Sequence, residues 1–206
     1  MPLIALLLAL GAFWLGACPF SVWIGCWLLG KEIRAYGDGN PGAANVFRAG
    51  GRKAGVLAIL LDIAKGTPFV ILAHSLFELP DPLVLAVGLC AILGHAFSPF
   101  LRLRGGKAIA VTLGVFMALP QHYILFAFMG FLLLGYLLIE VDAWVTMLGA
   151  TGALAYVAAT TRFSWESLFM LCVLIVLATK HFDDLKTIPR FKGRLIRWLH
   201  PVRRQV

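Results

Sequence analysis

Charge is what this chain has least of. Only 14% of its 206 residues are Asp, Glu, Lys or Arg, against 61% apolar, where soluble domains run at about 25% charged. That scarcity, with a mean hydropathy of +0.89, excludes an ordinary water-soluble fold and places the chain in a bilayer. Cysteine is nearly as thin. Cys18, Cys26, Cys90 and Cys172 lie in apolar stretches with no CxxC spacing, which indicates neither a disulfide framework nor a zinc site and reads them as packing residues. No basic segment precedes the first apolar stretch, which runs on to Leu29, so it reads as a membrane helix rather than a secretory leader. A fixed-period repeat, a low-complexity segment and a linker are all absent.

What is there is a series of apolar runs. A spanning helix needs about 20 apolar residues, so the length accommodates about six or seven. The pattern predicts an all-α integral membrane bundle, one polytopic domain over 1–206. Its spans fall at about 3–29, 54–77, 83–101, 108–119, 121–139, 143–161 and 164–180, followed by a basic tail over 181–206. The 108–119 segment is short and ends near Pro120, so it is a candidate half-spanning helix. Gly66 and Pro68 bend or loosen the second span. The net charge of +8 is concentrated in loops on one side, whereas the loops at 78–81, 120–122 and 160–166 carry only Arg162 between them. The positive-inside rule makes the basic loops cytoplasmic and the N-terminus external. Basic residues that flank spans, without a soluble scaffold, argue against nucleic-acid binding. Those from Arg190 to Arg204 read as topology signals attracted to anionic lipid.

Three glycine-and-charge islands interrupt the apolar runs. In the first, Gly37, Gly39 and Gly42 let backbone N–H groups face an anion closely, Asn40 and Asn45 add amide donors, and Arg48 can grip a phosphate with two parallel hydrogen bonds. An ordinary turn-rich loop is the competing reading. In the second, Gly94 and His95 end the third span, and Arg104, Gly105, Gly106 and Lys107 open the fourth. A double glycine before lysine at a helix start suits an anion, but the spacing is not that of a P-loop. In the third, Lys180, His181, Asp183 and Asp184 follow the last span; a histidine near carboxylates can position or remove a proton, and a charged helix end is the alternative. Asp62 and Lys65, at i and i+3 inside the second span, are either functional or a structural pair supporting the site.

Taken in order, these islands resemble the bacterial membrane glycerol-3-phosphate acyltransferases that use acyl-phosphate, the PlsY family. That family carries a loop of the form GSGNxGATNxxR, then DxxKG, GHxFPVFxxFxGGK and RHxxN. Here the counterparts are Gly37 to Arg48, Asp62 to Gly66, Gly94 to Phe100 with Arg104 to Lys107, and Lys180 with His181. The resemblance spans nearly the whole chain. It implies a seven-helix bundle in the bacterial inner membrane with its site at the cytoplasmic face. It implies acyl transfer from acyl-phosphate to the 1-hydroxyl of glycerol 3-phosphate, giving lysophosphatidic acid and phosphate, with no metal or other cofactor, by a monomer. On this resemblance Asn40, Asn45, Arg48, Lys107 and His181 hold the phosphates and orient the hydroxyl, with His181 the motif-matched base. Gly105 and Gly106 let backbone approach the donor, and Gly94, His95, Arg104 and Lys180 join the binding set. The HxxxxD motif of other glycerolipid acyltransferases is absent.

The chain departs from that pattern at Ala44 for the loop threonine, at Lys180 for the arginine before the histidine, at Ala17 and Ser21 in the first helix, by lacking the downstream glutamate, and at two carboxylates. Asp38 stands where the family has serine and Asp184 where it has asparagine, so both belong to the catalytic set with His181 and Lys107. A carboxylate beside a phosphate repels it unless paired or protonated. Pairing with Arg48, Lys180 or Lys186 would leave the activity intact; a paralogue with a different acceptor alcohol, or one with little activity, is the alternative. From other classes, a small anionic-solute transporter and a metal-dependent polyprenyl-phosphate transferase compete, the latter supported only by Asp183 and Asp184.

Overall fold

In the computed structural model, residues 1–162 and 164–192 are described; the basic positions Arg194, Arg197, Arg203 and Arg204 lie outside them. The described chain is helical: α1 (Pro2–Ala17), α2 (Phe20–Leu29), a short α3 (Ala43–Arg48), α4 (Arg52–Ala64), a single turn α5 (Pro68–Ile71), α6 (Asp81–Ala96), α7 (Ile109–Ala118), α8 (His122–Leu138), α9 (Asp142–Thr161) and α10 (Trp165–Lys180). Large apolar side chains such as Leu6, Leu7, Leu60, Phe126, Leu133 and Ile175 are exposed on the outside of the bundle. Facing lipid, they need no cover. The protein is an all-α integral membrane bundle.

Two predicted spans are broken rather than continuous. The run over 3–29 divides at Cys18 and Pro19 into α1 and α2, and the run over 54–77 divides at Lys65 to Thr67 before α5 and a π-helical turn, Leu72–Leu76. The 10 residues of α7 rise about 15 Å, half the hydrocarbon thickness, as a half-spanning segment would.

Small residues let the helices meet closely. Gly16 of α1 lies against the Ala91 carbonyl of α6, and Gly94 of α6 lies against the Phe13 carbonyl of α1. Gly114 of α7 approaches the Ile63 carbonyl of α4, and Gly135 of α8 approaches Val145 of α9. A Cβ at Gly16, Gly94 or Gly114 would overlap backbone that cannot swing aside. Inside this bundle Phe116 packs edge-on against Phe128 and Phe169, tying α7, α8 and α10 together.

The helix breaks carry a cost, because they release backbone carbonyls into an apolar interior. A buried polar knot takes them up. Lys65 donates to the Cys18 carbonyl at 2.8 Å and Ser98 donates to the Ala17 carbonyl at 2.6 Å. Lys65 is ion-paired to Asp62 at 2.7 Å, and Ser21 donates to the other Asp62 oxygen at 2.6 Å. Asp62, Lys65, Ser21 and Ser98 are all buried. Removing one partner strands a charge in low dielectric. We predict that Asp62→Ala lowers stability by about 3–5 kcal/mol. The double variant Asp62→Leu with Lys65→Met removes the stranded ammonium but also uncaps the Cys18 carbonyl, so it recovers only part of the loss, both read as thermal unfolding in detergent.

Candidate active site

The three islands converge on the ammonium of Lys107. It lies 2.6 Å from Asp38 Oδ2 and 2.7 Å from Asp184 Oδ2, so one cation is held between two carboxylates far apart in sequence. Each arm has a local cause. The loop bearing Asp38 turns through Gly37 and Gly39, both at positive φ. A Cβ at Gly37 would collide with Asn45 Oδ1 and the Arg48 side chain, so only glycine admits those two groups over the loop. Asn45 donates to Asp38 Oδ1 at 3.0 Å and to the Asn40 carbonyl at 2.8 Å, and accepts from Arg48 at 2.7 Å. Arg48 itself stands 3.6 Å from Asp38. Asp184 sits in the 3₁₀ turn Asp184–Lys186 beyond α10.

The stretch bearing Lys107 corrects the sequence reading. The glycine–lysine run does not open a helix. It is a connector without regular secondary structure, and α7 starts only at Ile109 after a left-handed Ala108. Arg102 and Leu103 are left-handed too. The Gly106 N–H is already committed to the His95 carbonyl at 3.2 Å, which takes that one donor away from an incoming anion.

Electrostatics follow from the clamp. Burial alone would raise the Asp38 carboxyl. Hydrogen bonds from Lys107, Asn40 and Asn45, with the Lys107 charge, outweigh it and hold the pKa at about 2. Burial likewise pulls the Lys107 ammonium down, but its bonds to Asp184 and Asp38 leave it above its ordinary value. The carboxylates pair with Lys107 and, for Asp38, Arg48. Lys180 and Lys186 do not serve as their partners: Lys186 pairs with Asp183 at 2.7 Å, and Lys180 lies 5.5 Å over the Phe97 ring.

The clamp is also a partition. A cleft of about 840 Å³ on one side is lined by Arg48, Glu140, Asp142, Thr187, Ile188 and Arg190. A second of about 590 Å³ is lined by Gly39, Asn40, Arg104, Gly105, Lys180 and Phe182. Asp38, Lys107 and Asp184 line both. The sequence singled out Asn40, Arg48, Arg104, Gly105 and Lys180, and the structure brings them here.

Four others lie apart from the clefts. Gly94 packs against α1, and His95 is buried 4.0 Å from Asp62, with Gly106 against its ring. His181 is only 1% exposed, its Nδ1 donating to the Leu177 carbonyl at 2.8 Å. Sequence reasoning missed Glu140, Asp142 and Thr187, and assigned Arg190 to topology. No motif marks these positions, which reach the cleft only because the chain after α10 folds back.

A family model described as glycerol-3-phosphate acyltransferase matches residues 6–190. A glycerol-3-phosphate acyltransferase of Streptococcus equi subsp. zooepidemicus (strain MGCS10565) is 32% identical over 200 residues, covering 94% of this chain and 93% of the relative. One of Lactococcus lactis subsp. lactis (strain IL1403) is 31% identical over 191 residues, covering 89% of each. Among solved structures, PlsY (YgiH), an integral membrane glycerol 3-phosphate acyltransferase, in its glycerol 3-phosphate form superposes with a TM-score of 0.79 at 26% identity. That match covers 95% of this chain and 99% of the other. Its lysophosphatidic acid form gives 0.74 at 27% identity, covering 95% and 91%.

The clamp sets a pH dependence. A depressed carboxyl stabilises the fold above its unfolded value, about 3.9, and the effect is lost as pH falls towards the folded value; a raised ammonium stabilises below about 10.4 and is lost above it. The stability difference between wild type and Lys107→Met is therefore expected to be flat from about pH 5 to 9 and to shrink below about pH 4. A difference titrating near neutrality would contradict carboxylates as the partners.

Proposed function

The chain belongs to the glycerol-3-phosphate acyltransferase family, and we propose that it transfers a fatty acyl group from acyl-phosphate to the 1-hydroxyl of glycerol 3-phosphate. The products are lysophosphatidic acid and inorganic phosphate. The observation that carries this reading is a single cation, Lys107, common to two clefts that each hold further cations, Arg48 on one side and Arg104 and Lys180 on the other. A reaction between two phosphate-bearing substrates needs such a shared neutralising charge at the seam.

Acyl-phosphate is already activated, so the protein's part is to position and neutralise. With a phosphate on either side, Lys107 exchanges its carboxylate partners for phosphate oxygens. The glycerol 3-phosphate hydroxyl then attacks the acyl carbon, the carbon–oxygen bond to phosphate breaks, and the departing phosphate accepts the hydroxyl proton. His181 serves as a positioning residue. Its Nδ1–H is committed to Leu177, and its carbonyl accepts from Leu185 at 2.9 Å, holding the turn that presents Asp184. Asn45 keeps Arg48 and Asp38 in register, and Asp62 with Lys65 supports the site from below.

The site faces the cytoplasm of a bacterial inner membrane. Basic residues such as Lys31, Arg102 and Lys186 lie in the segments adjoining it, with Arg52 and Lys53 at the start of α4, while the loops at the other end, brought together where Pro82 and Trp165 line one groove, carry little positive charge.

Purified protein in lipid mesophase, given palmitoyl-phosphate and glycerol 3-phosphate in EDTA, is expected to release phosphate at a saturable rate that falls at least about 100-fold in Lys107→Ala. Asp38→Ser with Asp184→Asn frees Lys107, and the KM for glycerol 3-phosphate is expected to fall severalfold. No phosphate release from wild type, or release unaffected by Lys107→Ala, would refute the assignment.

A further inference from the structure

The larger cleft has an unusual charge balance for a site that receives a dianion. It is lined by four carboxylates, Asp38, Glu140, Asp142 and Asp184, and three cations, Arg48, Lys107 and Arg190. Lys107 is spent on two of the carboxylates, and Arg48 is shared with Asn45 and Asp38. Arg190 makes no ion pair among the described residues. With it the cleft carries three cations against four carboxylates; without it, two against four.

The backbone around Arg190 is fixed. After α10 the chain returns as a strap across the corner between α8 and α9. Trp144 Nε1 donates to the Thr187 carbonyl at 2.7 Å. Glu140 N–H donates to the Arg190 carbonyl at 2.9 Å, and Lys192 N–H to the Leu138 carbonyl at 2.9 Å, which makes an antiparallel bridge between Ile139 and Phe191. The Lys192 ammonium caps the Tyr136 carbonyl and lies 4.1 Å over its ring. An arginine whose backbone is pinned on both sides is pre-organised to bind, and its planar fork suits a phosphate.

We propose that Arg190 is a substrate-positioning residue, delivered by this strap to grip the phosphate of glycerol 3-phosphate and offset the carboxylates that occupy Lys107. The proposal rests on the acyltransferase reading for its ligand. The ligand chemistry, a phosphate group, could also be that of a lipid headgroup, so the test separates the two.

Binding of glycerol 3-phosphate and of inorganic phosphate is measured by calorimetry on the full chain in neutral detergent and in phosphatidylglycerol nanodiscs, alongside turnover. Arg190→Ala is expected to weaken glycerol 3-phosphate binding and raise its KM about tenfold, with kcat within about twofold. Arg190→Lys keeps part of the affinity, and serves in its place if the alanine variant does not fold. Trp144→Phe, which unpins the strap, produces a smaller rise in the same KM. Unchanged binding in both Arg190 variants overturns the proposal, as does an effect confined to phosphatidylglycerol, which would assign Arg190 to the membrane surface. Arg190-dependent binding without any turnover would sink the acyl-donor reading and leave Arg190 standing. No binding of glycerol 3-phosphate to wild type overturns both.

Discussion

One lysine held between two carboxylates organises this molecule's polar end. A bundle whose helices are apolar throughout has no hydrophobic preference for how its loops meet; only their few polar groups can specify that. The Lys107 ammonium joins a loop before α3, a connector before α7 and a turn after α10, and so assembles a site from three segments. The same contacts divide the space into two clefts, with Lys107 shared between two carboxylates. In the proposed reaction a phosphate entering either cleft competes with a carboxylate already in place. On that proposal substrates bind by exchange, and the carboxylates that hold Lys107 weaken each binding step.

The clamp rests on the buried knot beneath it. Pro19 breaks the first apolar run, and the released carbonyls are taken by Lys65 and Ser98. Lys65 fixes Asp62, Asp62 lies beside His95, and the His95 carbonyl holds the Gly106 N–H directly before Lys107. Each link is a polar group that could not stay unpartnered in an apolar interior. The motif residues that line neither of the two clefts, Asp62, Lys65, Gly94 and His95, are explained by this chain of supports: they hold the connector that presents Lys107.

Much of this was legible in sequence. Apolar runs of helical length gave the membrane bundle, the short 108–119 segment was visible as such, and the spacing of Gly37, Asn45, Arg48 and Lys107 pointed to the family. What could not be read were features set by tertiary approach. The break at Pro19 is stable only because Lys65 and Ser98, distant in sequence, cap it. The glycine–lysine run looks like a helix start until packing against His95 takes up the Gly106 N–H. Asp38 and Asp184 were recognisable as departures, but not that they would share one lysine. Arg190 looked like one basic residue among many in a tail, since nothing local reveals that the strap folds back along α8 and α9.

The most direct test of the exchange is a crystal structure of this protein grown in lipid mesophase with glycerol 3-phosphate. The account predicts a phosphate oxygen within about 3 Å of the Lys107 ammonium, with at least one of the Asp38 and Asp184 contacts broken. A phosphate bound elsewhere while both carboxylates keep Lys107 would contradict it.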